Sequence, residues 1–121
     1  NQLKVNSAIK LEGKLSYDKV LSFYKSCDLV VFPSYVETFG LPLIEAANFG
    51  LPLLVSDLDF SREVIGDYEG VKFLDYKDDK VWGEEIIQCY KENPRFPPYE
   101  ANVLNGWSQF FDLINSFSLV L

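Results

Sequence analysis

Short apolar runs alternate along the chain with stretches whose apolar residues recur at helical spacing, and that alternation predicts strands interleaved with helices. Ala8 to Leu11 reads as a short strand closed by Gly13. Ser16 then offers an N-cap, and Tyr17, Val20, Leu21, Tyr24 and Cys27 fall on one face, so residues 17 to 26 read as a helix. Leu29-Val30-Val31-Phe32 is a continuous apolar run ended by Pro33, the pattern of a strand covered on both faces. A loop from Ser34 to Gly40 leads to a helix with Pro42 in its first turn. That helix carries Leu43, Ile44, Ala46 and Ala47, and Gly50 suits its left-handed end. Leu53-Leu54-Val55 and Val71 to Leu74 read as further strands, with a short helix from Ser61 to Ile65 between them. Two longer helices follow: Asp79 to Lys91, and a second from about Tyr99 with Val103, Trp107, Phe110, Phe111 and Ile114 as one apolar stripe.

Buried strands alternating with helices predict an α/β fold, a doubly wound parallel sheet with helices on its faces. Ligands of such sheets sit beyond the carboxyl ends of the strands. Here those ends are Glu12 to Leu15, Pro33 to Gly40 and Ser56 to Asp59.

Composition narrows the chemistry. The chain has 121 residues, enough for one domain, and is 48% hydrophobic and 24% charged, a globular balance. A net charge of −7 argues against a nucleic-acid surface or electrostatic attachment to anionic lipid, since both need clustered Lys and Arg. There is no His, which removes the commonest general base and metal ligand. Cys27 and Cys89 lie far apart without metal spacing and read as reduced, small apolar core residues of a cytoplasmic protein. No apolar run reaches membrane-spanning length. The start, Asn1-Gln2-Leu3-Lys4, is neither a signal peptide nor a Met start, which suggests a processed chain or one cut from a longer protein.

The stretch from Phe32 to Ala47 holds the candidate chemistry. It sets a carboxylate in a loop, a glycine turn, a helix start and a second carboxylate about one turn in. Free N–H groups around Phe39, Gly40 and Leu41 would suit an anion such as a pyrophosphate. Gly40 would let a ligand approach the backbone closely. Glu45 can accept two hydrogen bonds from a vicinal diol such as a ribose. Glu37, before the turn, could accept from the hydroxyls of a sugar beyond the phosphates.

This stretch resembles the Glu-x7-Glu signature of the retaining family-4, or group 1, glycosyltransferases of GT-B fold, with Glu37 and Glu45 as the two acids around Phe39-Gly40-Leu41-Pro42. Leu11-Glu12-Gly13-Lys14-Leu15-Ser16, Gly50-Leu51-Pro52 into Ser56-Asp57, Glu63 to Asp67, and Asn105-Gly106-Trp107-Ser108 resemble further motifs of that family in the same order. The resemblance covers roughly residues 8 to 115. It implies a Rossmann-like domain that binds a nucleotide-sugar donor, such as a UDP- or GDP-sugar. The implied reaction transfers the sugar, with its anomeric configuration kept, to a polysaccharide or lipid-linked acceptor. No cofactor and no obligatory divalent metal are implied.

Carried over, Glu37 would bind donor-sugar hydroxyls near the reacting carbon, as a positioning group more than a general base. Thr38 joins the donor loop, where it could also cap the helix start. The amides of Phe39, Gly40 and Leu41 would hold sugar or phosphate, Glu45 the ribose diol, and Leu15 the base. The departing phosphate itself would help deprotonate the acceptor.

The family's donor-binding domain opens with two further strand-helix units, which carry an Arg and a Lys for the pyrophosphate. This chain has no counterpart of them, nor of the acceptor-binding N-terminal domain. The resemblance therefore implies an incomplete C-terminal domain, inactive alone for want of leaving-group cations. In the order 3-2-1-4-5-6 the strand at Leu29 to Phe32 would lose a neighbour and expose an edge, open to self-association. The Ala8 to Leu11 strand would then pair directly with it, pair with another chain, or detach. A different class of function, a non-catalytic binding or regulatory module, is compatible with the same residues.

Plainer readings stand beside these. The stripe from Trp107 to Ile114 is core packing. Asp75, Asp78 and Asp79 lack calcium-loop spacing and read as a solvated loop. Ser56-Asp57 reads as helix capping. No Gly-x-Gly-x-x-Gly follows a strand, which argues against a dinucleotide.

Overall fold

The uninterrupted apolar runs become the strands of a parallel sheet. The structure is a computed structural model and describes residues 8–35 and 40–99. Strands β1 (Val30–Phe32), β2 (Leu53–Ser56) and β3 (Val71–Leu74) lie in the order β1-β2-β3. Val30 pairs with Leu53, and Leu53 with Val71. Helices α1 (Tyr17–Ser26), α2 (Leu41–Asn48), α3 (Asp59–Ile65) and α4 (Asp79–Glu92) connect or flank them.

Side chains alternate across β2, and the two faces have separate cores. Leu53 and Val55 join Leu43, Ala46, Ala47, Leu51, Ile65 and Tyr68 on the α2–α3 side. Leu54 points the other way, to Leu74 and to Trp82 of α4. Helices on both faces of a parallel sheet are the α/β layering expected from the sequence. Leu43, Leu53, Val55 and Ile65 are fully buried, and such residues contribute roughly 1.5–3 kcal/mol each.

Helices α1 and α4 begin at side-chain caps that the sequence provides. Ser16 Oγ accepts from the Lys19 N–H at 3.4 Å. Asp78 Oδ1 accepts from the Val81 N–H at 3.2 Å. Asp75 has other duties: its side chain accepts from the Lys77 N–H, and its carbonyl takes the Trp82 indole N–H at 2.8 Å.

Several expectations need correction. Residues 8–11 form no strand. Ile9 is 61% exposed and Leu11 92%, so no burial offsets the entropy of ordering an extended segment, and no ladder satisfies its backbone. Among the described residues β1 pairs with β2 alone, which leaves its other edge open. Asp57 does not cap α3. Its carboxylate takes the Arg62 guanidinium through two hydrogen bonds of 2.6 and 3.0 Å. Helix α3 starts two residues earlier than expected, at Asp59, with no side-chain cap at Leu58.

Cys27 is half-buried against the larger core, whereas Cys89 is half-buried beside a cavity rather than in a core; both are free thiols. Tyr99 is not yet helical, and the aromatic stripe from Val103 to Ile114, with the turn at Asn105, lies outside the described residues.

After α4 the chain turns at Asn93 (φ 45°) and passes beneath the amino ends of the strands as a strap. The Phe96 N–H donates to the Gly50 carbonyl and the Tyr99 N–H to the Ala47 carbonyl, each at 3.0 Å. Phe96 and Tyr99 both meet the Tyr68 ring edge-on. Gly50 is left-handed (φ 70°), and a Cβ there would run into the Phe96 carbonyl oxygen.

Candidate functional site

The parallel arrangement gathers the turns after β1, β2 and β3 at one end of the sheet. Helix α2 starts from the turn after β1 and presents Gly40, Leu41 and Glu45 there. Glu37, Thr38 and Phe39 lie outside the described residues.

Gly40 is the residue on which α2 turns. It is buried and left-handed (φ 61°), and its carbonyl accepts from the Leu43 and Ile44 N–H groups at 3.0 and 3.4 Å. A Cβ at Gly40 would sit 3.0 Å from Phe60 Cζ and 3.1 Å from Val64 Cγ1. The glycine is therefore required by the turn and by the close approach of α3. Among the described residues no backbone carbonyl accepts from the Gly40 or Leu41 N–H. Pro42 follows with no N–H at all.

Glu45 lies between the buried residues Ile44 and Ala46 and is itself half-buried. Burial pushes its carboxyl above the usual range, and the nearby Tyr24 hydroxyl partly opposes that rise. The phenol responds in turn: burial first, then the charge of Glu45, pushes Tyr24 up to about 12. Leu15 is half-buried at the turn into α1, outside both core clusters.

The structure puts Gly40 and Leu41 at the start of α2 and Glu45 one turn into it, while Tyr24 of α1 packs against Phe49 just past the end of that helix. Sequence reasoning took Tyr24 only as an apolar helix position; its hydroxyl was the available signal. Two other features went unread. Tyr35, after β1, stacks on Tyr76, after β3, with ring centroids 5.8 Å apart. Arg62 lies 4.6 Å over the Phe73 ring and holds the Asp57 carboxyl below its ordinary range. Ser56 Oγ, at the end of β2 and read from the sequence as part of a helix cap, is buried with no hydrogen-bond partner among the described residues.

Cavities of about 90 Å³ and 380 Å³ lie elsewhere, around Pro52, Gly70 and Phe96, and around Leu29, Ile86 and Tyr90. Neither holds a residue of the candidate site. Among the described residues no group of His, Cys, Asp and Glu side chains is placed to hold a metal ion. No helix among them is long and apolar enough to cross a membrane.

The family model described as "Glycosyl transferases group 1" matches residues 1–102. The chain belongs to the group 1 glycosyl transferases. It is similar to an uncharacterised glycosyltransferase of Methanocaldococcus jannaschii, 33% identical over 88 residues, which are 71% of this chain and 23% of that protein. An O-antigen chain mannosyltransferase of Salmonella typhimurium is 29% identical over 84 residues, 69% of this chain and 23% of that protein. A D-inositol 3-phosphate glycosyltransferase of Thermobispora bispora is 22% identical over 112 residues, 88% of this chain and 26% of that protein. This group 1 chain thus spans about a quarter of the length of these relatives. No solved structure matches it significantly. The match to the group 1 family includes both acids of the Glu-x7-Glu stretch.

Proposed function

We propose that this chain is the donor-binding part of a retaining glycosyltransferase of GT-B fold. It holds a nucleoside-diphosphate sugar at the carboxyl end of the sheet for transfer to a saccharide or lipid-linked acceptor. The acceptor, and cations for the pyrophosphate, come from parts of a longer cytoplasmic protein. The observation that supports this most is Glu45, a half-buried carboxylate one turn into α2, placed beside the turn after β1.

The roles follow from chemistry. Glu45, ionised, accepts hydrogen bonds from the 2′ and 3′ hydroxyls of the ribose. The N–H groups of Gly40 and Leu41, with that of Phe39, meet the phosphates or the sugar. Leu15 lies against the base. Glu37 orients the sugar while the bond between the anomeric carbon and the phosphate oxygen breaks and one to the acceptor oxygen forms on the same face. The proton of the acceptor hydroxyl goes to the departing phosphate. The reading assigns no step to a metal.

The test is calorimetric titration of UDP and GDP into the full-length protein and its Glu45→Ala variant. Loss of charge-assisted bonds to a diol weakens binding about tenfold or more. Unchanged affinity for both nucleotides overturns the ribose assignment. Nucleotide binding without transfer to any acceptor, in a fully folded protein, favours a non-catalytic module.

A further inference from the structure

Tyr35 and Tyr76 are distant in sequence and adjoin at the end of the sheet where the candidate site lies. Tyr35 follows the last residue of β1 by three positions, and Tyr76 follows that of β3 by two. Strands β1 and β3 flank β2, which sets them about 10 Å apart at ordinary strand spacing. The two ring centroids are only 5.8 Å apart and their planes differ by 22°, so the phenols converge across β2. Tyr35 is nevertheless 67% exposed and Tyr76 44%.

The turn that carries Tyr76 is fixed from beneath. The Asp75 carboxylate accepts from the Lys77 N–H at 2.9 Å. The Asp75 carbonyl accepts from the Trp82 indole at 2.8 Å and from the Asp78 N–H at 3.1 Å. Lys77 Nζ lies 5.5 Å from the centroid of the Tyr76 ring.

We propose that the Tyr35–Tyr76 stack is a platform for a pyranose ring of the acceptor saccharide. The proposal rests on the donor-binding reading above and adds an acceptor contact made by this chain itself.

The chemistry of the two partners matches. One face of a pyranose is a sheet of C–H groups, whose slightly positive hydrogens suit the negative face of an aromatic ring. Its hydroxyls lie around the rim, where the phenol hydroxyls and the Lys77 ammonium offer hydrogen bonds. The two tyrosines touch, with no space between them for a third ring, so the sugar lies on the exposed outside of the stack. Tyrosine supplies a large contact area with few torsions to immobilise, and the hydrogen-bonded turn at Asp75 holds Tyr76 ready before ligand arrives.

Position favours the acceptor over the other rings in the reaction. Tyr35 stands two residues before Glu37, at the sugar end of the proposed donor, whereas the ribose and base belong at Glu45 and Leu15. The donor sugar itself must react with water kept out. A platform as open as this one suits a neighbouring unit that runs from the reacting hydroxyl into solvent.

The experiment uses the full-length protein and the methyl α-glycosides of mannose, glucose and galactose as probes. Each is titrated into wild type, Tyr35→Phe, Tyr35→Ala and Tyr76→Ala with and without UDP or GDP, and followed by saturation-transfer NMR. Calorimetry of UDP and GDP on the same proteins, and on Glu45→Ala, runs beside it. The expected result is that at least one glycoside binds wild type with saturation strongest at its ring C–H protons. Both alanine variants weaken it about tenfold, and Tyr35→Phe, which keeps the stack, stays within about twofold. The affinity for UDP and GDP is unchanged in the tyrosine variants, which also shows that they are folded. Three results overturn the platform: no glycoside binds wild type, both alanine variants bind it as wild type does, or they lose UDP and GDP to the same extent. A loss of stability in urea with glycoside affinity intact makes the stack a tie between two turns and likewise overturns it. If Glu45→Ala weakens the nucleotides while the alanine variants spare every glycoside, the platform fails and the donor-binding reading stands. If Glu45→Ala leaves the nucleotides unaffected while the alanine variants lose the glycoside, the donor-binding reading fails and the saccharide platform stands.

Discussion

Replacing Gly40 by alanine changes two things at once, and the structure allows them to be separated. The first is conformational. Gly40 sits at φ 61°, where an alanine costs about 1–2 kcal/mol. The second is steric. The added methyl carbon would lie 3.0 Å from Phe60 Cζ and 3.1 Å from Val64 Cγ1, so these side chains of α3 must give by a few tenths of an ångström. Overpacking of this kind costs about 1–3 kcal/mol. Together they give about 2–5 kcal/mol, a large part of the stability of an ordinary domain.

Gly13 is the control. It has nearly the same φ, 65°, but nothing lies within 4 Å of its missing Cβ. Gly13→Ala is therefore expected to cost at most the conformational term, about 1–2 kcal/mol. Urea unfolding followed by circular dichroism measures both variants. Val64→Ala in the Gly40→Ala background supplies the missing space and should recover part of the loss, so the cycle is non-additive. If Gly40→Ala is no more harmful than Gly13→Ala, or if Val64→Ala recovers nothing, α3 does not press on this turn as described.

Other outcomes follow from particular contacts. The Tyr68 hydroxyl donates to the Leu51 carbonyl at 2.7 Å in the core, so Tyr68→Phe should cost about 1–3 kcal/mol in urea unfolding. Burial pushes Tyr24 and Tyr68 up to about 12, above the unfolded value near 10. Their contribution to stability is thus complete below pH 10 and is lost as pH rises from there towards 12, and alkaline melting of Tyr68→Phe should show a shallower decline than wild type. Ser56 Oγ is buried with no partner among the described residues, so Ser56→Ala should be neutral or stabilising by about 1 kcal/mol in the same assay. Asp78→Ala removes the N-cap of α4 and should lower stability by about 1 kcal/mol, read as a fall in melting temperature.

The sheet was legible because β1 and β2 are written as apolar runs, although β1 is not covered on both faces as expected: Val31 is 39% exposed, and β3 carries Lys72 within it. Leu53-Leu54-Val55 has no polar residue and is buried on both faces. Helix α4 was legible over Asp79 to Lys91, before the stop at Pro94, but its cap was not: Asp78 read as a solvated loop residue and accepts from the Val81 N–H. Residues 8–11 mislead for a physical reason. Apolar residues make a strand only where a neighbour supplies the other half of the hydrogen bonds, and the sequence does not print its partners. The strap from Asn93 to Tyr99 was equally hidden, because backbone groups of Gly50 and Ala47 hold it. Helix α2 was legible through Pro42 near its start and its apolar residues Leu43, Ile44, Ala46 and Ala47, all of them buried but the proline. Asp57 looked like a cap until Arg62, five positions on, took its carboxylate.

The central claim concerns one carboxylate and one diol. A crystal structure of the full-length protein with its bound nucleoside diphosphate puts it to the test. The account predicts both ribose hydroxyls within about 2.5–3.0 Å of the Glu45 carboxylate oxygens. A ribose held by other side chains, with Glu45 turned away from it, would contradict it.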